Sequence, residues 1–315
     1  MLLFWPMISR EGASAAHALK SSIFHSISAF CNAGFSLYTT SMTEFRTMWL
    51  MNITVTGLIV IGGIGFPVMT HLVYVAKQRV AGKRVRVNLH TRLALVATGV
   101  LLGVGFVLFL LNEGTHEMRG LPFWERMWAS WFQSVTTRTA GFNTIDFAKA
   151  HEGSLFASSI LMFIGGCPGS TAGGVKATTF AVIVVLIISM FRERGRAEVL
   201  GRTLPQTVIR RAMVVVALEV ALVFAVTVVL LLTQQHVAWP GGKGPLACLV
   251  FEVCSAFGTV GLSTGITGQL NSLGKLVIIA AMFIGRLGPL ALVQSIAGET
   301  KRAGYEYPEE NVMVG

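Results

Sequence analysis

The chain is expected to be an all-α polytopic membrane protein, built from repeated units around re-entrant loops. Three observations carry that expectation. The first is composition: 53% of the 315 residues are hydrophobic and only 13% are charged, where soluble domains carry about 25% charged residues. The second is an internal repeat, the kind of signal that decides a fold. Gly-centred loops recur as Asn32-Ala33-Gly34-Phe35-Ser36, Thr139-Ala140-Gly141-Phe142-Asn143 and Thr259-Val260-Gly261-Leu262-Ser263, each nine or ten residues after a Phe (Phe24, Phe132, Phe251). Each loop is followed 24 to 28 residues later by an Ile and then Gly62-Gly63, Gly165-Gly166 or Gly285-Arg286. The third is an apolar segment, 154–191, whose centre holds five glycines and a proline, residues that weaken or break helices.

In chain order, 18–32 reads as a short helix that dips into the membrane and stops at the Gly34 loop. Residues 47–76 then cross inward. After a basic loop at 77–92, residues 93–111 return outward, and 122–137 form a second short helix opened by Pro122, which the first turn tolerates. Segment 154–191 is too long for one span and reads as two half-helices joined by a flexible loop at 165–177. After a second basic loop at 192–211, segments 212–232 and 245–257 repeat the outward span and the short helix, and 272–296 runs in to a polar tail at 297–315. The chain thus divides into units at 1–76, 93–191 and 212–296. The apolar runs approach or exceed the roughly 20 residues that cross hydrocarbon. No cleavable leader is expected, because Leu2-Leu3-Phe4-Trp5 is too short and no basic region precedes it.

The formal charge of +10 is unevenly placed. Lys77, Arg79, Lys83, Arg84, Arg86 and Arg92 fill one connection, and Arg192, Arg194, Arg196, Arg202, Arg210 and Arg211 another, while 113–121 and 234–244 carry only Arg119 and Lys243. That asymmetry is the positive-inside pattern. It puts the basic loops and C-terminus in the cytoplasm and the Gly-centred loops on the outer side. Charge here sets topology, and nucleic acid is excluded as a partner. Cys31, Cys167, Cys248 and Cys254 form no CxxC pair and read as small apolar residues in packed helices. The histidines have no metal-ligand spacing, and no nucleophile elbow or paired catalytic carboxylates appear, so the chain is not expected to be an enzyme.

A potassium ion entering a pore exchanges its hydration shell for protein oxygens, and rings of backbone carbonyls supply them. Glycine reaches the backbone conformations that turn C=O groups toward an axis, and the short helices would aim their partly negative C-terminal ends at the cation. The three matched loops therefore predict a short ion selectivity filter at Asn32, Ala33, Gly34, Thr139, Ala140, Gly141, Thr259, Val260 and Gly261. The competing reading is that these glycines only let helices pack closely.

Irregular backbone at membrane depth is tolerated only where it is buried or lines water. The run Gly165, Gly166, Cys167, Pro168, Gly169, Ser170, Thr171, Ala172, Gly173, Gly174, Val175, Lys176 is accordingly read as a flexible loop inside the pore. It is a near miss for a phosphate loop, since Val175 stands where Lys is required and an apolar helix precedes it. Arg286, a cation inside an apolar span, is expected to be functional, as a pore barrier or latch near the glycine-rich loop; the alternative is a snorkelling Arg or one structurally paired with a residue such as Glu252. Lys176 acts likewise or marks the cytoplasmic end of the loop. Glu219 is either an ion-coupling carboxylate or a buried, hydrogen-bonded structural one.

Several of these runs, Phe24-His25-Ser26-Ile27-Ser28-Ala29-Phe30, Gln133 to Thr144, Met162 to Lys176 and Met282-Phe283-Ile284-Gly285-Arg286, resemble the Trk/Ktr/HKT potassium-transporter superfamily. The tail from Tyr307 to Gly315 is similar to that of the membrane subunit of bacterial Ktr systems. The resemblance covers essentially the whole chain. It implies potassium-channel-like M1-P-M2 repeats, four about a pseudo-fourfold axis, and K+ uptake that is often Na+-activated. Gly at all three filter positions then favours potassium over sodium, and the resemblance makes the loop around 165–176 the intramembrane gate, with Arg286 its neighbour across the pore. The resemblance also implies a homodimer in the bacterial plasma membrane with the tail near its interface, and a cytoplasmic nucleotide-binding RCK-type ring (KtrA-like) docked on the basic face. No cofactor is expected in this chain itself. Three of the family's four pore loops are present, and with filter glycines 107 and 120 residues apart the fourth is expected upstream of Met1. The alternative is a truncated, non-conducting membrane scaffold or assembly partner of a longer subunit.

Overall fold

A computed structural model describes residues 14–114, 116, 118–192 and 196–288. The leader and tail expectations fall outside the described residues. The helices are α1 (Ala15–Phe30), α2 (Trp49–Ile64), α3 (Phe66–Val80), α4 (Leu89–Glu113), α5 (Phe123–Thr136), α6 (Glu152–Phe163), α7 (Ala177–Phe191), α8 (Gln206–Thr233), α9 (Pro245–Phe257) and α10 (Ser272–Leu287), with a two-strand hairpin, β1 (Glu198–Val199) and β2 (Arg202–Thr203), before α8. Asn88 and Asn271 start α4 and α10 by accepting from Thr91 N (2.8 Å) and Gly274 N (2.7 Å), satisfying backbone donors that have no partner within the helix.

Helices α4 and α8 are each long and apolar enough to cross a membrane. Their outward residues are apolar too: Val100, Val104 and Leu111 on α4, and Val214, Val220, Phe224 and Leu232 on α8, are all exposed. Such a surface suits hydrocarbon rather than water. The short helices lie inside this frame, α1 against α2, α5 against α4, and α9 against α6, α8 and α10. Phe132 and Phe251 are buried there, whereas their counterpart Phe24 is partly exposed.

Segment 47–76 is not one straight span. It breaks at Gly65 into α2 and α3, bent by 98°. Gly65 has φ +94, a region closed to most L-residues, and a Cβ there would stand 2.6 Å from Pro168 O. The glycine-rich loop sits in that elbow: Phe66 N donates to Gly169 O (3.0 Å) and Cys167 N to Gly63 O (2.9 Å). A contact about a hundred residues away thus turns the helix, which no local pattern announces. Helix α3 also runs through Val80, so Lys77 and Arg79 lie on its last turn, where positive charge favours the helix dipole. Similarly, Arg210 and Arg211 belong to α8 rather than to a loop.

The Ile-Gly repeats are points of close approach. A Cβ at Gly62 would run into Phe30 O, and one at Gly285 into Phe257 O, the last residues of α1 and α9. Gly62→Ala or Gly285→Ala is therefore expected to cost about 1–3 kcal/mol through overpacking. Gly57→Ala and Gly99→Ala, with open space around them, should not destabilise. Thermal unfolding in detergent, followed by tryptophan fluorescence, would separate the two pairs.

Candidate functional site

The three Gly-centred loops follow the C-terminal ends of α1, α5 and α9 and share one backbone pattern. The first and third residues of each have positive φ: Asn32 (51) and Gly34 (70), Thr139 (74) and Gly141 (83), Thr259 (50) and Gly261 (93). The middle residues Ala33, Ala140 and Val260 are not among the positive-φ positions. The loops also meet. A Cβ at Gly34 would stand 2.7 Å from Ala140 O and 2.9 Å from Gly141 Cα, and one at Gly141 would strike Val260 O and come within 3.2 Å of Gly34 Cα. Gly261 has more room, its nearest neighbour being Gly141 Cα at 3.9 Å. The loops form an arc in the order first, second, third. A cavity of about 330 Å3 opens beside the third, lined by Ala33, Thr259, Val260, Gly261 and by Ile278 and Met282 of α10.

Two side-chain braces recur on each short helix, three residues apart and so on one face. The hydroxyls of Ser28, Thr136 and Ser255 donate to the carbonyl just after each glycine: Phe35 O (2.8 Å), Phe142 O and Leu262 O (2.6 Å). One turn earlier, His25, Gln133 and Glu252 hold the outgoing chain. His25 Nε2 accepts from Leu37 N (3.3 Å). The Gln133 amide faces Thr144 Oγ1 (3.0 Å), and its oxygen, turned that way, accepts from the N–H groups of Thr144 and Ile145. Glu252 accepts from Ser263 Oγ (2.7 Å), Thr264 N (2.8 Å), Thr264 Oγ1 (3.1 Å) and Thr267 Oγ1 (2.8 Å). None of these six residues is singled out for this role by the sequence alone. The signal it does carry is a hydroxyl five or six residues before each glycine and a polar side chain three before that.

At the first position of each loop, Asn32 Nδ2 and Oδ1, Thr139 Oγ1 and Thr259 Oγ1 are buried with no hydrogen-bond partner among the described residues. Such atoms in a folded protein call for an explanation. The glycine-rich loop packs near two of them: a Cβ at Gly165 would stand 3.4 Å from Thr139 Cγ2, and one at Gly173 would meet Thr259 Oγ1. Asn32 instead faces α2, where a Cβ at Gly63 would stand 3.5 Å from its Nδ2.

That glycine-rich loop joins α6 to α7 and is stitched by backbone hydrogen bonds. Gly165 N donates to Val175 O (2.9 Å), Val175 N to Phe163 O (3.1 Å), Ala177 N to Gly166 O (2.9 Å) and Ser170 N to Cys167 O (3.2 Å). Gly169 and Gly174 hold positive φ (71 and 65). Thr171 reaches two further elements: its Oγ1 lies 3.3 Å from Gly62 O, and its carbonyl accepts from Arg286 Nη1 at 2.5 Å. Glu252, the other partner considered for Arg286, is taken up by the third loop. Lys176 Nζ donates back to Ala172 O (2.8 Å). Glu219 is buried on α8 within electrostatic reach of Lys176, and its Oε2 has no hydrogen-bond partner among the described residues. Arg138, given no role from sequence, is buried between the second Gly-centred loop and the glycine-rich loop and donates to Gly165 O (3.1 Å) and Thr98 O (3.4 Å); a cation inside an apolar region is the signal that marks it.

Comparison with known proteins places these features in context. The family model described as the cation transport protein TrkH matches residues 3–300. The chain is 40% identical over 298 residues to the potassium/sodium uptake protein NtpJ of Enterococcus hirae, covering 93% of this chain and 64% of that protein. It is 39% identical over 301 residues to the Ktr system potassium uptake protein B of Bacillus subtilis, with coverages of 94% and 64%, and 35% identical to the protein of the same description from Vibrio alginolyticus, with coverages of 93% and 62%. The chain therefore spans a little under two thirds of the length of these relatives. The crystal structure of the potassium transporter TrkH from Vibrio parahaemolyticus shares the fold at a TM-score of 0.67 and 19% identity, covering 93% of this chain and 68% of that one. These descriptions are of ion transport and not of enzymes.

Proposed function

We propose that this chain, which belongs to the TrkH family of cation transport proteins, provides three walls of a potassium-selective pathway across the bacterial plasma membrane. The observation that carries this reading is the threefold backbone match: glycines that converge, with positive φ at the first and third residue of each loop. Alternating the sign of φ along a strand turns successive carbonyls to one side, and carbonyls so gathered replace an ion's hydration shell. Asn32, Thr139 and Thr259, the first residues of the same loops, add side-chain oxygens with no hydrogen-bond partner among the described residues. The glycine-rich loop then acts as the gate, with Arg286 as the barrier that fastens it. With a cytoplasm-negative potential, each inward charge gains about 2.3 kcal/mol per 100 mV, so uptake needs no other energy source.

The charge asymmetry of the connections supports a cytoplasmic side for the basic loops and the C-terminus. The family resemblance supports a homodimer regulated by a nucleotide-binding RCK-type ring, with Na+ as an activator. Two relatives are described as components of a Ktr system, which supports a partner of this kind. A second reading, a non-conducting assembly partner, draws on the open side of the arc. The cavity between Ala33 and Val260 leaves room for a further wall, supplied by more of the same polypeptide or by another subunit.

Rubidium uptake by potassium-transport-deficient cells expressing the gene for this chain tests the first reading. Uptake is expected, and Ser255→Ala or Thr136→Val should reduce it by roughly fivefold, since each removes a brace hydrogen bond of about 1 kcal/mol. No uptake, with the chain recovered only in complex with a longer protein, would favour the second.

A further inference from the structure

Away from the loops, a cavity of about 620 Å3 opens between the starts of α4, α7 and α8. Its volume falls within the ~300–1,000 Å3 of ordinary ligand pockets. Leu93, Val182 and Val215 give it an apolar wall, Thr178 lies on it at the first turn of α7, and His90 and Arg211 supply its charge. Among the described residues no acidic side chain lines it. Among the described residues neither Arg211 nor His90 has a hydrogen-bond or ion-pair partner. Both are exposed, at helix ends that also carry Arg92 and Arg210.

We propose that this cavity is a binding site for an anionic phospholipid, its phosphate held by Arg211 and His90 and one acyl chain lying against Leu93, Val182 and Val215. A soluble anion gains nothing from the apolar wall, and a neutral amphiphile gains nothing from the unpaired guanidinium. A ligand that uses both is a charged lipid, and basic pockets between membrane helices take such headgroups. Positive charge gathered at these helix ends places the site in the leaflet that faces the basic loops, which is the cytoplasmic one in the orientation proposed above. The inference uses that reading only for the choice of leaflet.

The position has a consequence for the glycine-rich loop. Thr178 and Thr179 follow Lys176 directly, and Val215 lies one helical turn, about 6 Å, below Glu219. An acyl chain seated here lies against the first turn of α7, directly after the loop.

Native mass spectrometry of the purified chain, equilibrated with equal amounts of phosphatidylglycerol and phosphatidylcholine, tests the site without reference to transport. The parent chain is expected to retain phosphatidylglycerol preferentially, and Arg211→Gln to lower that retention about fivefold, the worth of one basic residue near an anionic surface. Arg210→Gln removes the same charge from a residue that does not line the cavity and should leave retention unchanged. Val215→Trp should displace the lipid by filling the apolar end; if that variant does not fold, the Arg211 and Arg210 pair still decides. Equal loss in the two arginine variants would mean general surface attraction and overturn the site. So would equal retention of the two lipids, or displacement of phosphatidylglycerol by inorganic phosphate. None of these outcomes bears on the potassium pathway, which uptake measurements test separately.

Discussion

Gly261→Ser is expected to lower the preference for potassium over sodium about tenfold while leaving the third loop in place, whereas Gly141→Ser is expected to abolish uptake. The two glycines occupy matched positions but not matched space. Both need positive φ, a conformation that costs an L-residue roughly 1–2 kcal/mol. At Gly261 that strain is the main cost, because a Cβ meets nothing closer than 3.9 Å; the loop stays anchored through Ser255 and Glu252, with its carbonyls less firmly aimed. At Gly141 a Cβ strikes Val260 O and crowds Gly34 Cα at 3.2 Å, so the second loop must push its neighbours on both sides. Competition between rubidium and sodium for uptake, measured for both variants at matched membrane expression, would decide. Unchanged preference in Gly261→Ser would remove the third loop from the filter, and normal uptake by Gly141→Ser would show that the loops do not meet as described.

Removing the fastening of the glycine-rich loop is expected to raise flux. Arg286 Nη1 reaches Thr171 O at 2.5 Å, and hydrogen bonds that involve a charged group contribute about 1.5–3 kcal/mol. If that contact holds the closed arrangement, Arg286→Gln shifts the closed-to-open balance on the order of tenfold to a hundredfold toward open. Shortening the loop by deleting residues 169–174 removes the same contact together with the Gly169–Phe66 hydrogen bond that seats the loop in the Gly65 elbow. It should raise flux at least as much. Arg286→Lys keeps the charge with a different donor geometry and should fall between parent and Gln. Flux at or below the parental level in both Arg286→Gln and the deletion would mean that the loop does not block the pathway.

Much of the architecture is legible in consecutive residues. Hydropathy marks α4 and α8, and the glycine spacing identifies three equivalent loops and the helices that precede them. Glycines and a proline in 154–191 announce that α6 and α7 are separate. These are local properties: backbone propensity and the apolar length needed to cross hydrocarbon are written into short stretches of chain. The residues that serve the loops are less visible. Ser28, Thr136 and Ser255 stand at nearly matched spacings, but a hydroxyl on a helix is commonplace until its acceptor is known.

Tertiary structure alone decided the rest, because each remaining feature depends on residues far apart in the chain. The elbow at Gly65 exists because Pro168 and Gly169 pack into it, so a segment that reads as one span becomes α2 and α3. Arg286 meets Thr171, 115 residues away, while Glu252, equally plausible as its partner by charge, is held by three hydroxyls and a backbone N–H of its own loop. Glu219 has an apolar sequence context on either side, yet only the folded chain shows it buried near Lys176 with an unpartnered oxygen. The composition of this chain determined that it lies in a membrane, and its repeat determined that three loops are alike. Which atoms those loops, the glycine-rich segment and the buried charges present to one another is a matter of packing, set by contacts that local sequence does not contain.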